Sequence, residues 1–543
     1  MMLAEPSRSN AAQLVTSVSI GSSTAASAVM EVEQGRRSSG GDKATRSNRA
    51  DVENMRRMGR SQELVRNFRM FSMASFAAMA TASWEFGVFQ MQPGLVDGGR
   101  PGLLYSSLWG FVGFLPIYLS MAEMASMAPI AGAQYHWVSE FAPRSMQKVL
   151  SYVSGWTSTL ALQAGNALGI LLVGSLIQTI IVVNVEDYTA PAWHASLFVI
   201  VTIGFAFTGS VVGHGILHYW QNMAFAIHVM VYFAILIPIW VNAPEATHSQ
   251  VWTQFENRGD WNSMALSILI GQLPGITCHA GVDAAAHMSE EVRNASTAVP
   301  QAMLITFAIN FALLFPMIVT AVYHMPDLTP ALDDATSFPF IYVLRQTMTT
   351  GWLTVTLVAI VTIFLGSNIA YLTATSRDLY AFARDDGLPF SNWLSQVSKR
   401  HGVPQNAAIT TSAISFLLAL IYVGSSVAFY AITSLFTVAV LQCYVLGIAC
   451  VLWRRITYPQ TLPHAPFSLG RWGVPINISA VVFGTWGFFW AFWPQVYPVT
   501  GDNFNWASPL FLITVIGALI NYAISGRKKY FGPVALVDGR KDE

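Results

Sequence analysis

The chain has 543 residues, of which 53% are hydrophobic and only 11% carry a charge. Soluble domains average about 25% charged residues, so this composition excludes an ordinary soluble domain and indicates a chain that faces lipid. The formal net charge is zero, which argues against a protein that binds nucleic acid.

The first 68 residues differ from the rest of the chain. They are rich in Ser, Ala, Arg and Gly, and their single aromatic residue is Phe68. Such a composition is typical of a disordered segment, and we expect no secretory signal peptide in it. We therefore predict a disordered tail over 1–68, a transmembrane domain over 69–526 and a second tail over 527–543.

A membrane-spanning helix needs about 20 largely apolar residues, and the chain contains twelve such stretches. We place them at 70–91, 103–126, 148–183, 194–213, 217–241, 261–288, 300–324, 352–379, 406–424, 427–453, 474–495 and 507–525. The third and the sixth are longer than a bilayer requires, which predicts tilt or a helix that continues beyond the lipid. The predicted fold class is an all-α membrane protein with about twelve transmembrane helices.

The basic residues predict the orientation of these helices. Loops on the side of the N-terminal tail contain ten Lys and Arg, whereas the opposite loops contain three: Arg100, Arg258 and Arg345. Because Lys and Arg favour the cytoplasmic side, we expect a multi-pass protein with both termini in the cytoplasm. We expect it in the plasma membrane, since no stretch resembles an organelle signal.

Two spans combine polar residues with helix-breaking residues. The first reads Ala80-Thr-Ala-Ser-Trp-Glu-Phe-Gly87, and the sixth reads Gly271-Gln-Leu-Pro-Gly-Ile-Thr-Cys-His-Ala-Gly-Val-Asp283. Two inverted five-helix repeats, each beginning with a broken helix, would place such spans five apart. We predict repeats over 70–241 and 261–453, followed by two further helices over 474–525. The alternative is a pair of kinks with packing roles only.

Broken membrane helices expose backbone groups that can bind a small molecule. Half-helix N-termini attract a carboxylate and freed carbonyls attract an ammonium, so a small zwitterion or cation suits such a site. The candidate substrate-binding residues are Thr81, Ala82, Ser83, Trp84, Glu85, Thr277, Cys278, Gly281 and Asp283. For the small residues the alternative is close helix packing, and for Trp84 it is a core or lipid-facing position.

Ionisable residues at membrane depth are candidates for proton coupling or gating: Glu85, Asp283, His287 and Arg377. Glu85 could hold a substrate amine or exchange a proton, or be a structural hydrogen-bond partner. Asp283 could bind an ammonium, take part in coupling, or cap the second half-helix. His287 titrates near neutral pH, although a structural hydrogen bond is the alternative for a lone histidine.

Four motifs resemble, in order, those of the amino acid–polyamine–organocation superfamily, and in particular its fungal amino acid/choline branch, which includes permeases for choline and 4-aminobutyrate. The motifs are the first-helix break at Ser83-Trp84-Glu85, the stretch from Glu123 to the Gln-Tyr-His-Trp ending at Trp137, the sixth-helix stretch from Gly281 to Glu291 with Asn294 and Pro300, and the stretch from Ser376 to Pro389. The likeness covers about residues 62–530.

The resemblance implies a LeuT-like core of five-plus-five inverted repeats with discontinuous helices 1 and 6, and two further helices. It also implies alternating access, a substrate site between the two breaks and, as is usual in fungal relatives, coupling to protons. Two positions depart from the pattern: Ala133 where a second glycine is frequent, and Thr277-Cys278-His279 where many relatives have a tryptophan. The second departure leaves the substrate open.

The predicted function is a secondary active transporter for a small amino compound such as 4-aminobutyrate, choline, a polyamine or an amino acid. Its expected partners are that substrate, protons and the lipid bilayer; no cofactor, metal or nucleic acid is expected. No P-loop, nucleophile elbow or His-Glu-x-x-His motif suggests an enzyme. Two alternatives remain: a transporter of a small basic alkaloid, and a nutrient sensor that does not transport.

Overall fold

The computed structural model describes residues 49–424 and 428–537, and in that part the chain is almost entirely helical. Nine of the described helices are long and apolar enough to cross a membrane, and shorter apolar helices complete the set. We number the membrane helices α1 (Met70–Thr81 and Ser83–Phe89), α2 (Gly99–Met127), α3 (Gln147–Asn184), α4 (Ala192–Val211), α5 (Leu217–Asn242), α6 (Met264–Gly271, Leu273–Thr277 and Ala284–His287), α7 (Ala295–Tyr323), α8 (Thr350–Arg384), α9 (Gln405–Gly424), α10 (Ala428–Thr457), α11 (Gly473–Trp490) and α12 (Ala507–Asn521). The predicted all-α fold is confirmed.

The outer helices carry apolar side chains on the surface that lipid would cover. Val201 of α4, Val241 of α5 and Ile513 of α12 are all exposed. A helix satisfies its own backbone groups, and lipid tails carry no penalty for apolar side chains, so these helices need no amphipathic pattern.

Helix contacts divide the core into two groups. Helix α7 packs on α1, α2 and α6, and α6 also packs on α1 and α2; we call these four helices the bundle group. Helices α3, α4, α8 and α9 do the same and form the scaffold group. In the predicted repeats α1 and α2 correspond to α6 and α7, and α3 and α4 correspond to α8 and α9. Each group therefore contains the same two helices of each repeat, as expected if the two repeats share one fold. The two broken helices, α1 and α6, both belong to the bundle group.

The last part of the predicted N-terminal tail lies within the described residues and contacts the membrane domain. Residues 1–48 lie outside the described residues, but Arg49–Arg57 is a helix. The Asp51 carboxylate accepts 3.0 Å hydrogen bonds from the backbone N–H groups of Asn294 and Ala295, where α7 begins. The Arg66 guanidinium donates to the Ser289 carbonyl over 3.1 Å. Buried charged groups and a few buried apolar side chains such as Met58 hold the segment in place, and its average composition does not reveal them.

Part of the predicted C-terminal tail is also ordered. The hydroxyls of Tyr530 and Ser151 share a hydrogen bond, and the Val534 N–H donates to the Ser139 hydroxyl over 3.1 Å. Leu536 lies against Gly59, where an added Cβ would stand 2.4 Å from the Leu536 carbonyl oxygen. Both terminal segments therefore lie on one face of the domain. We call it the tail face and its opposite the far face.

Candidate functional site

The break in α1 is a single residue in the left-handed conformation. Ala82 has φ 40° and ψ 50°, and it separates the two halves of the helix. The Thr81 hydroxyl donates to the Ala78 carbonyl over 3.0 Å and accepts from Asn310 Nδ2 over 2.7 Å. Left-handed residues cannot continue a right-handed helix, so the second half starts anew at Ser83.

The break in α6 is longer and its freed backbone groups are satisfied by tyrosines. Gly281 has φ 98°, a conformation that glycine adopts without strain. The Tyr118 hydroxyl donates to the His279 carbonyl over 2.6 Å and accepts from the Val282 N–H over 3.2 Å. The Gly281 N–H donates to the Tyr444 hydroxyl over 3.4 Å. These side chains supply the partners that an interrupted membrane helix requires.

A cavity lies between the two breaks and the scaffold group. The cavity has a volume of about 50 Å³, which is room for a few water molecules. Three predicted residues line it: Thr81, Thr277 and Cys278. The other lining residues are Ala80, Phe86, Gly165, Leu168, Gly169, Ala280, Phe364, Ser367, Asn368, Tyr371 and Phe436. None of the fourteen lining residues carries a charge.

Two polar atoms at this cavity have no hydrogen-bond partner among the described residues: Asn368 Oδ1 and the Tyr371 hydroxyl. Asn368 Nδ2 donates to the carbonyls of Phe364 (2.8 Å) and Gly169 (3.2 Å). Carbonyls only accept, so the amide nitrogen is fixed there and Oδ1 remains as a free acceptor. Residues three apart share a helix face, so the two groups form one polar patch on α8.

Aromatic side chains surround this cavity, which we call the cargo cavity, and cover it on the side of the far face. Phe86, Phe364 and Phe436 line the cavity. Phe89 packs edge-on against Phe364, with ring centroids 6.3 Å apart, and against Phe338 of the α7–α8 connection, with centroids 5.3 Å apart. These rings form an apolar layer between the cavity and the far face.

Glu85 does not line the cavity but pairs with α5. Its Oε1 lies 2.6 Å from His228 Nδ1, and both side chains are almost completely buried. The Trp84 ring packs beside the rings of His228 and Tyr232, with centroids 5.8 and 5.6 Å apart. Ala82 and Ser83 are likewise buried outside the lining. In this arrangement Glu85 does not contact a molecule bound in the cavity.

Asp283 and Gly281 lie between the cavity and the tail face. Asp283 accepts hydrogen bonds of 2.5 Å from Gln134 Nε2 and from the Tyr444 hydroxyl. His287 Nε2 is 3.6 Å from Asp283. The Cα of Gly281 faces the cavity edge, because an added Cβ would stand 3.4 Å from the Thr81 methyl group.

Arg377 belongs to a set of buried ion pairs nearer the tail face. Its Nε donates to Glu291 over 2.8 Å. Two helical turns later Arg384 donates to both oxygens of Glu290, over 2.8 and 3.1 Å. Burial of the Glu290 carboxylate disfavours its charged form, but the Arg384 guanidinium outweighs this effect and holds the pKa of Glu290 below its ordinary value. The pairs tie the α6–α7 connection to α8.

Helices interrupted at mid-membrane around a small cavity are typical of secondary transporters. Across residues 49–424 and 428–537 no group of His, Cys, Asp and Glu has the arrangement of a metal site. Residues 68–519 match the amino acid permease family, and the chain belongs to that family, within the amino acid–polyamine–organocation superfamily. It is a multi-pass membrane transporter of amino acids or related compounds, not an enzyme.

Curated relatives come from fungi and plants. A choline transporter of Saccharomyces cerevisiae is 25% identical over 473 residues, which cover 86% of this chain and 83% of that protein. An amino-acid permease of Arabidopsis thaliana is 27% identical over 507 residues, covering 89% and 96%. A Macrophomina phaseolina protein, whose name describes an amino acid/polyamine transporter, is 27% identical over 442 residues, covering 80% and 97%.

Proposed function

We propose that this protein is a secondary active transporter that carries a small protonated amine, such as 4-aminobutyrate or an amino acid, by alternating access and coupled to protons. It acts in the plasma membrane with its tail face in the cytoplasm. The observation that carries the proposal is the cavity between the broken helices α1 and α6, which presents free hydrogen-bond acceptors but no charged side chain.

The chemistry of the cavity favours a cargo with one ammonium group that bears N–H donors. Asn368 Oδ1 can accept from such a group, and the Tyr371 hydroxyl can accept from it or donate to a carboxylate. The rings of Phe86, Phe364 and Phe436 can pack against the alkyl groups of such a cargo and attract its positive charge. A polyamine brings several charges for which the lining offers no carboxylate. Choline has no N–H donor, so its charged group cannot donate to Asn368 Oδ1, and only its hydroxyl could pair with that oxygen.

The proposed transport cycle moves the bundle group relative to the scaffold group. Opening to the cytoplasm requires the ion pairs Arg377–Glu291 and Arg384–Glu290 to separate, since each joins the α6–α7 connection to α8. Glu85 with His228 serves as a buried proton site beside the α1 break. Of the other coupling candidates, Asp283 and His287 lie on the tail side of the cavity.

The proposal is tested by uptake into proteoliposomes that contain the purified full chain, with an inward proton gradient. The panel contains 4-aminobutyrate, neutral amino acids, choline, spermidine and a small alkaloid. We expect the primary monoamines to be taken up best. Binding without flux would support the sensor instead, and uptake of the alkaloid alone would support the specialised transporter.

The role of Asn368 is tested by Asn368→Leu, which keeps the side-chain size but removes both the Oδ1 acceptor and the Nδ2 donor to Phe364 and Gly169. A hydrogen bond to a charged group contributes about 1.5–3 kcal/mol, so KM for a primary amine should rise about tenfold or more. The matched control is Asn184→Leu at the far end of α3, where the side chain contacts Thr354 outside the cavity. An unchanged KM in Asn368→Leu would contradict the assignment.

A further inference from the structure

Three ionisable side chains meet between the α6 break and the tail face, outside the cargo cavity. His287 lies between two carboxylates: its Nε2 is 3.6 Å from Asp283 Oδ2, and its Nδ1 is 3.7 Å from Asp378 Oδ1. None of the three residues is more than 2% exposed. We call them the acid–histidine cluster. Because α6 belongs to the bundle group and α8 to the scaffold group, the cluster bridges the boundary that alternating access must open.

The hydrogen bond of His287 fixes where an exchangeable proton resides. Nδ1 lies 2.9 Å from the Ala131 carbonyl oxygen, and a carbonyl can only accept, so Nδ1 carries a hydrogen. Nε2 then faces the Asp283 carboxylate. If Nε2 carries no proton, its lone pair points at that carboxylate. If Nε2 is also protonated, an imidazolium stands between two carboxylates, and each ring nitrogen donates towards an acceptor.

The other groups that face the cluster are neutral donors. Asp283 accepts from Gln134 and from Tyr444 of α10. Asp378 accepts from Ser158 (2.9 Å) and Thr159 (3.1 Å) of α3. The remaining titratable groups that interact electrostatically with it are Tyr118 of α2, Tyr135 of the α2–α3 connection, Tyr371 of α8 and Cys443 of α10.

The neighbouring cation, Arg377, is turned away from the cluster towards Glu291. Among the described residues neither aspartate has a Lys or Arg within ion-pair distance. A proton on His287 is therefore the available positive charge for two buried carboxylates, which are costly to leave uncompensated.

We propose that the acid–histidine cluster binds a proton that is released to the cytoplasm during each transport cycle, an inference that rests on the proposed function. The bound proton holds α6 against α8 while the tail face is closed. When the two helices separate, the Asp283 and Asp378 carboxylates gain water. The Nε2 proton then passes to that water, and a neutral imidazole with its hydrogen on Nδ1 remains. Tyr371, which lines the cavity and interacts electrostatically with both aspartates, lies between cargo and proton.

The test separates proton-driven accumulation from cargo exchange in proteoliposomes containing the full chain and 4-aminobutyrate. Exchange of internal for external cargo needs no net proton movement. We expect Asp378→Asn, which preserves side-chain shape, to lower accumulation driven by a pH gradient at least tenfold while exchange stays within about twofold. The matched control is Glu123→Gln, which removes a buried carboxylate paired with Arg455 at the tail-face end of α2. Its ratio of accumulation to exchange should equal that of the wild type.

Unaltered accumulation in Asp378→Asn would overturn the proposal. So would an equal loss of accumulation and exchange, because that result indicates a structural role.

A second measurement does not depend on cargo. As the pH rises, the cluster loses its proton, and the unfolding temperature of the detergent-solubilised chain should fall in a step at that pH. His287→Gln should remove that step. If the wild type carries no compound in the panel, the proposed function fails. The pH profile of the unfolding temperature then tests the proton site by itself. A step that persists in His287→Gln would refute the proton site.

Discussion

Glu85→Gln tests the proton site beside the α1 break. Glu85 Oε1 and His228 Nδ1 are 2.6 Å apart and buried. Hydrogen bonds to charged groups contribute about 1.5–3 kcal/mol and neutral ones about 0.5–1.5 kcal/mol. Glutamine keeps the shape and an acceptor oxygen, so the free energy of unfolding should fall by only about 1–2 kcal/mol. The variant should fold and reach the membrane, but it cannot exchange a proton at residue 85.

The assay is uptake of 4-aminobutyrate into proteoliposomes at a fixed pH gradient, normalised to the amount of folded protein. We expect Glu85→Gln to accumulate at least tenfold less cargo than the wild type. His228→Gln should fold less well, because breaking a buried pair costs about 3–5 kcal/mol. The double variant Glu85→Gln/His228→Gln should recover expression but not accumulation. Accumulation by Glu85→Gln at the wild-type rate would refute the role of this pair.

Three further changes have defined outcomes. Gly281→Ala adds a Cβ where φ is 98°, so thermal unfolding should show a loss of about 1–3 kcal/mol; an unchanged melting temperature would contradict the strain. Burial raises the pKa of Asp97, which precedes α2, to about 7. The folded state thus favours its proton and loses stability as pH rises from about 4 to 7, so Asp97→Asn should raise the melting temperature at pH 8 but not at pH 4. Asp51→Ala removes the cap on α7, worth about 0.5–2 kcal/mol, and should speed tryptic cleavage at Arg57; equal cleavage rates would argue against the docked segment.

The membrane helices and their breaks could be predicted because both follow from local sequence. Each span must satisfy its own backbone groups in lipid, so length and apolar composition identify it. The α6 break falls where Gly281 stands, and glycine adopts the positive φ found there. Ala82 gave a weaker signal, because alanine seldom adopts a left-handed conformation.

The partners of the site residues could not be predicted, because they come from distant parts of the chain. Glu85 is recognisable as a charge at membrane depth, but its partner His228 is 143 residues away. Asn368 and Tyr371 lie on an uninterrupted helix, α8, and which of its faces meets the cavity depends on packing against α3. The polar pair Ser367-Asn368 within an apolar run was the one available signal.

The ordered end of the N-terminal tail could not be predicted for a different reason. Its composition resembles that of disordered chains, which bury too little apolar surface to fold. The segment from Arg49 to Arg69 is held by hydrogen bonds from Arg66, by the contact of Asp51 with α7 and by a few buried apolar side chains such as Phe68. Composition averages over such specific contacts and cannot reveal them.

The most direct test of the central claim is to follow internal pH and cargo together in proteoliposomes without an imposed gradient. External 4-aminobutyrate is added and a trapped dye reports the pH. We expect the interior to acidify in step with cargo entry, and we expect this acidification to be lost in Glu85→Gln and Asp378→Asn. Cargo entry with no change in internal pH, or entry that follows external sodium, would contradict it.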